Sequence, residues 1–141
     1  MPQLENSEVM RHILQSLIEI SGRKTTYGHA VLTMSDLIKK LRNKYDFLKN
    51  VEIKDTRFLE LDEPVSVISK IDNVKLNDVG NALHDIIKTM NYSLGEDAGH
   101  FFVKELKNRM TDDHLSTIEE MGLDLGLIQL EVEVEQMTRK L

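Results

Sequence analysis

Apolar residues recur along this chain at three- and four-residue intervals. Tyr27, Val31, Met34, Ile38, Leu41, Tyr45 and Leu48 alternate steps of four and three. That spacing keeps one face of an α-helix apolar, because side chains three and four positions apart sit above one another. Leu123, Leu127, Leu130, Val134, Met137 and Leu141 repeat the pattern. Shorter runs do so at Met10, Ile13, Leu17, Ile20 and at Leu76, Val79, Leu83, Ile86, Met90. A lone amphipathic helix is marginal in water, so several in one chain must bury their faces against one another. The pattern predicts an all-α fold: an up-and-down bundle of four to five helices, forming a single helical domain over residues 1–141.

Capping residues set the expected boundaries. Asn6 or Ser7 can open a first helix that Ser21-Gly22 closes. Thr25 or Thr26 can cap a second, running to about Leu48. A third is expected over about 75–93, stopping at Gly95. The segment 96–110 carries Ala98, Phe101, Phe102, Leu106 and Met110 on one broad face, and Thr111, followed by Asp112 and Asp113, caps a helix continuing to the end of the chain. Leu115, Ile118, Met121, Leu125, Ile128 and Val132 form a second stripe on that last helix. The region 51–71 breaks the pattern and is expected as an irregular or small β insert. An extended connector at 51–61 with a short helix at 63–71 is the preferred form, opened by Asp62-Glu63-Pro64. A hairpin in which Val65-Ser66-Val67-Ile68 pairs with 51–61 is the alternative, because Val51-Glu52-Ile53-Lys54 alternates and Val65–Ile68 is rich in β-branched residues. The same conflict arises at Ile128–Val134, where alternation with Gln129, Glu131 and Glu133 also fits a strand. Helix is expected there, since Glu and Gln are poor strand formers.

Composition narrows the classes. With 40% hydrophobic and 30% charged residues, a folded domain fits better than a disordered one. A net charge of −6 disfavours binding to a phosphate backbone. The chain has no cysteine, which removes disulfides, thiolate nucleophiles and thiolate metal sites. No apolar run approaches the roughly 20 residues of a membrane span, and the first residues lack the pattern of a secretory signal. The expected setting is cytoplasmic, with no membrane.

Candidate chemistry is sparse. Glu8/His12 and Glu96/His100 are i,i+4 pairs that share a helical face. Neither the Glu-x-x-His motif of di-iron bundles nor the His-Glu-x-x-His motif of zinc proteases occurs. If 75–93 and 96–110 form a helical hairpin, His84 comes level with Glu105. His84, Glu105, Glu96 and His100 are therefore the metal candidates, against a simpler reading as solvated ion pairs; no cofactor is expected. Gly22-Arg23-Lys24-Thr25-Thr26 lacks the leading glycine and preceding strand of a phosphate-binding loop and reads as a basic inter-helix turn. Lys39, Lys40, Arg42 and Lys44 make the end of the second helix basic, but no aromatic residues interleave them. Phe101 and Phe102 at helical spacing read as core.

No catalytic constellation emerges, so the expected function is a helical interaction or regulatory module acting through protein–protein contacts. The row from Leu123 to Leu141 continues after the earlier helices have supplied a core. An exposed apolar row of that length demands a partner, which points to a homodimer. The alternative is a small-ligand- or metal-binding bundle, an enzyme among its possibilities. A weaker one is a nucleic-acid-binding regulator using the basic end of the second helix.

Overall fold

Helical spacing translates into a helical fold with one small β insert. The structure is a computed structural model and describes residues 4–54, 65–93 and 102–140. Among them are six α-helices: α1 (Asn6–Lys24), α2 (Tyr27–Leu41), α3 (Leu76–Ser93), α4 (Phe102–Asn108), α5 (Asp112–Glu120) and α6 (Leu125–Lys140). Strands β1 (Val51–Ile53) and β2 (Val65–Val67) and two 3-10 turns, Asp46–Asn50 and Ser69–Asn73, lie between α2 and α3. The expected helix start at Asp62-Glu63-Pro64, the stop at Gly95, and Ala98, Phe101 and Leu141 fall outside the described residues.

The first helix is the hub. It packs on α2, α3, α4, α5 and β2, and it can do so because it is apolar on more than one side. Beside the expected Met10, Ile13, Leu17 and Ile20, it also buries Val9, Leu14 and Ile18. Its N-terminus is built differently from expectation. Asn6 is not the cap; it is buried, and its Nδ2 donates to the carbonyls of Ile71 and Val74 at 3.2 and 3.0 Å. The cap comes from Asp72, whose Oδ1 accepts from the Ser7 N–H at 2.8 Å. A carboxylate at a helix N-terminus satisfies an orphan donor and the dipole together. The helix also runs past Gly22 to Lys24.

The second helix begins where expected, with Thr26 Oγ1 accepting from the His29 N–H at 3.1 Å. It ends at Leu41 instead of Leu48. The N–H groups of Lys44 and Tyr45 both turn back to the Leu41 carbonyl, and a 3-10 turn follows. The reversal after Leu41 brings Lys44 and Tyr45 to α3, where Nζ and OH donate to Asp85 Oδ2 at 2.9 and 2.7 Å. Leu48 is nonetheless fully buried. The apolar row was read correctly as a core face, while its last residues reach the core from a turn.

The insert takes the hairpin-like alternative. Strands β1 and β2 pair antiparallel, Val51 with Val67, Glu52 with Ser66 and Ile53 with Val65. Ile68 N–H extends the ladder to the Asn50 carbonyl at 2.9 Å. The helix expected at 63–71 is thus replaced by a strand and a 3-10 turn. Val65 and Val51 are buried and pack their branched side chains within the core cluster, which strand geometry permits.

The C-terminal stretch forms two helices where one was expected. Gly122 has φ +78°, a left-handed conformation that favours glycine. The Leu123 N–H returns to the Ile118 carbonyl and the Gly122 N–H to the Glu119 carbonyl, closing α5. Asp124 then opens α6, its Oδ1 accepting from the Leu127 N–H at 3.0 Å. Residues 128–134 are helical, as the longer period indicated. Across this turn α3 approaches so closely that a Cβ on Gly80 would meet the Met121 carbonyl oxygen at 2.1 Å. Among the described residues, no helix is long and apolar enough to cross a membrane.

Candidate functional site

Two places on the surface carry a concentration of features that folding alone does not require. The first is the outer face of α6. At 100° per residue, Leu125, Ile128 and Val132 share one side of this helix, and all three are buried. Leu127, Leu130, Val134 and Met137 lie on the opposite side and are 47, 56, 51 and 68% exposed. Charged neighbours fix which side turns inward. Lys88 of α3 pairs with Glu131 Oε2 at 3.0 Å and Glu135 Oε1 at 2.9 Å, and His84 Nε2 lies 3.4 Å from Glu131 Oε1. Hydrogen bonds to Glu135 and Glu131 raise the Lys88 pKa, and the Lys88 hydrogen bond, with His84 nearby, outweighs burial to lower that of Glu131. On the other flank Gln129 Nε2 donates to Glu133 Oε1 at 3.0 Å. The polar residues on both flanks thus have partners within the chain, while the apolar row between them faces solvent. Leu32 and Ile68 are also exposed, but singly, which is ordinary for a folded surface.

The second place is a cleft of about 450 Å³ between α1 and the α4–α5 junction, lined among others by Glu8, Arg11, His12, Glu19, Arg109 and His114. The rings of His12 and His114 stack with centroids 4.0 Å apart and planes 7° apart. Their hydrogen bonds assign the tautomers. His12 Nε2 lies 2.8 Å from the Arg109 carbonyl, which can only accept, so Nε2 carries a hydrogen. His114 Nδ1 accepts from the Thr111 N–H at 3.1 Å, so Nδ1 does not. Thr111 Oγ1 in turn accepts from the His114 N–H at 3.2 Å. This closes a capping box with histidine in the place usually held by Glu or Gln. Burial, then the neighbouring His12, push the His114 pKa below its usual value against the opposing pull of Glu8 and Asp113. Part of the charge in this cleft is answered from within. Arg109 pairs with Glu19, and Arg11 is engaged as well.

The metal candidates are not brought together. His84 faces Glu131 on α6, whereas Glu105 pairs with Arg23 and Lys24 at the end of α1. Glu96 and His100 lie outside the described residues. Among the described residues no group of three or more His, Asp or Glu is placed to hold a metal ion. The basic end of the second helix is partly committed too. Lys44 pairs with Asp85, and Arg42 donates to the Val51 carbonyl at 3.3 Å. Asp85 itself is held low in pKa: burial raises it, but the Tyr45 hydroxyl and the Lys44 ammonium outweigh that. Phe102 is fully buried, as its spacing indicated. Asn91 is also fully buried, and among the described residues neither its Nδ2 nor its Oδ1 has a hydrogen-bond partner.

Sequence reasoning missed the pairing of His12 with His114. No local signal could have found it, since the elements that carry them meet only in the fold. The row on α6 was expected to lie exposed, and Leu127, Leu130, Val134 and Met137 do, whereas Leu123, at the start of that row, is buried. No family model, no curated protein and no solved structure matches this chain.

Proposed function

We propose that this protein is a helical interaction module that self-associates, as a homodimer, through the outer face of α6. The observation that carries this reading is the row Leu127, Leu130, Val134 and Met137, about half or more exposed on a helix whose opposite side is buried. Together these side chains expose roughly 400 Å² of apolar surface, about half of the ~800 Å² per partner in a standard interface. The remainder of an interface must come from surface beyond the row. A cytoplasmic setting goes with this reading, because a chain without cysteine needs no oxidising compartment to form disulfides.

Sedimentation equilibrium at micromolar concentration tests the proposal. The expected result is a dimer for the unaltered chain and a monomer for the Leu130→Glu/Val134→Glu variant, with the melting temperature of the monomer nearly unchanged. A monomeric unaltered chain would end this reading.

The second reading, a small-ligand-binding bundle, is favoured by one observation, the His12–His114 cleft. Its volume falls within the usual range for small-molecule sites. The Arg109–Glu19 ion pair counts against it, since a ligand drawn to either charge would compete with that pair. Native mass spectrometry of protein purified without chelator, reporting bound mass and subunit count together, separates the two readings.

A further inference from the structure

Arg109 spans two turns of α1. Its carbonyl lies 2.8 Å from His12 Nε2, and its guanidinium pairs with Glu19. Seven positions separate His12 from Glu19, about 10 Å along the helix at ~1.5 Å per residue. Ser16 stands between them on the same face, four positions after His12 and three before Glu19. It is only 4% exposed and lines the cleft, and among the described residues its hydroxyl has no hydrogen-bond partner. A buried hydroxyl normally has one. Arg109 and Glu19 thus answer each other, while the hydroxyl between the two anchor points of Arg109 is left with an unmet requirement.

We propose that this end of the cleft binds a small oxyanion, the carboxylate or phosphate group of a larger molecule, between Ser16 and Arg109. The proposal rests on the ligand-binding reading above and is independent of self-association through α6. Donors gather at this end. Ser16 offers its hydroxyl, and Gln15, which also lines the cleft, its side-chain amide. On the His12 side, His114 accepts at Nδ1, so its neutral ring carries the hydrogen on Nε2. Arg109 brings a planar fork that matches an oxyanion with two parallel bonds. The cleft of about 450 Å³ has room for more than the anionic group alone.

Three features oppose an anion, and their magnitudes decide. Arg109 must exchange Glu19 for the ligand. Those two side chains are 32 and 44% exposed. An exposed ion pair is worth at most about fivefold in an equilibrium. The charge-assisted bonds that replace it, inside a cleft and joined by Ser16, are about twice as strong as neutral ones. Glu8 is exposed at the other end of the cleft, eight positions before Ser16. That is about 12 Å along the axis, beyond the roughly 8 Å screening length of physiological salt. The remaining acceptor, Nδ1 of neutral His12, belongs to a residue one full turn from Ser16.

Amide chemical-shift perturbation in the full chain tests the site, with inorganic phosphate and acetate as separate probes and sorbitol as a neutral one. The expected result is saturable shifts around Ser16 and Arg109 with an anion, at a dissociation constant on the order of 1 mM, and none with sorbitol. A response to phosphate alone assigns a phosphate-bearing ligand, and a response to acetate alone a carboxylate-bearing one. Ser16→Ala should weaken binding several-fold with the melting temperature nearly unchanged, because its hydroxyl has no partner to lose among the described residues. Glu19→Gln removes the competing carboxylate and should tighten binding by up to about fivefold, a gain that damage to the fold does not produce. Equal affinity in the unaltered chain and both variants would overturn the site. Shifts with sorbitol and with neither anion would overturn the oxyanion but leave a ligand-binding cleft. No response to any probe at tens of millimolar, in the unaltered chain and in Glu19→Gln, would remove both.

Discussion

The α1–α4–α5 junction and the outer face of α6 are opposites in chemistry and in completeness. The junction concentrates histidine, arginine and glutamate, the residue types that most often signal activity. Yet His12 has the Arg109 carbonyl and the His114 ring, His114 has the cap of α5, and Arg109 has Glu19. The face of α6 has no reactive side chain, and its apolar row meets no other part of the described fold closely enough to be buried. What distinguishes a surface that awaits something is an unmet physical requirement, not the richness of its residues. Polar groups that satisfy one another stabilise a fold; apolar groups left in water do not, and their burial remains available to a partner.

The largest effect expected concerns the turn that aims the α6 face. Gly80→Ala places a methyl group against the Met121 carbonyl at a separation no real contact shows. Either α3 or the α5–α6 turn must shift, and a loss of about 3 kcal/mol or more is expected in urea denaturation. A loss below about 1 kcal/mol would mean that α3 does not set the position of this turn.

The next prediction divides α6 into its two sides. Ile128→Ala removes a fully buried side chain and should destabilise the protein by about 3 kcal/mol. Leu130→Ala, on the exposed side, should change the stability of the monomeric chain by less than about 1 kcal/mol. Measured at concentrations low enough to suppress association, equal losses for the two variants would contradict the assignment of inner and outer faces.

The smallest effect sharpens the description of the junction as self-satisfied. The His114 pKa lies below its usual 6.5 in the folded chain, chiefly through burial. As pH falls through 6.5 the unfolded chain takes up this proton while the folded chain resists it. The unfolded state then binds more protons, so stability declines until the lower folded pKa is passed. Above 6.5 the group contributes no pH dependence. The proton would enter at Nδ1, the atom that accepts from Thr111, so protonation also opens the capping box. His114→Gln keeps an acceptor at this position and removes the titration. Its melting temperature should fall less than that of the unaltered chain as the pH is lowered from 6.5. Identical pH profiles would assign the acid sensitivity to other groups.

Sequence patterns proved most legible where the deciding interactions span one or two helical turns. Thr26 and Thr111 cap the helices they were expected to cap. The rows at Met10–Ile20, Tyr27–Leu48 and Leu76–Met90 were rightly read as packing faces, since every residue in them is buried or packed against the core, and Ile128–Val134 is helix. Two of the departures involve a distant partner. Asn6 leaves its expected capping role because the Ile71 and Val74 carbonyls lie within reach, and Asp72 takes that role from 65 positions away. The second helix stops at Leu41, where its following residues gain Asp85 of α3.

Sequence alone thus determined that this chain is helical, where most of its apolar faces lie, and that residues 51–71 interrupt them. These follow from local geometry: side-chain period, capping chemistry and β-branching act within a few residues and need no knowledge of the rest. Only the tertiary structure decided what holds the outward face of α6 in place and that His12 meets a junction 97 positions away at the Arg109 carbonyl. Both apolar stripes on α6 carry the helical period, so periodicity cannot rank them. The choice falls to Lys88 and to the surface that α3 and α4 offer for Leu125, Ile128 and Val132, which exists only once the chain has folded.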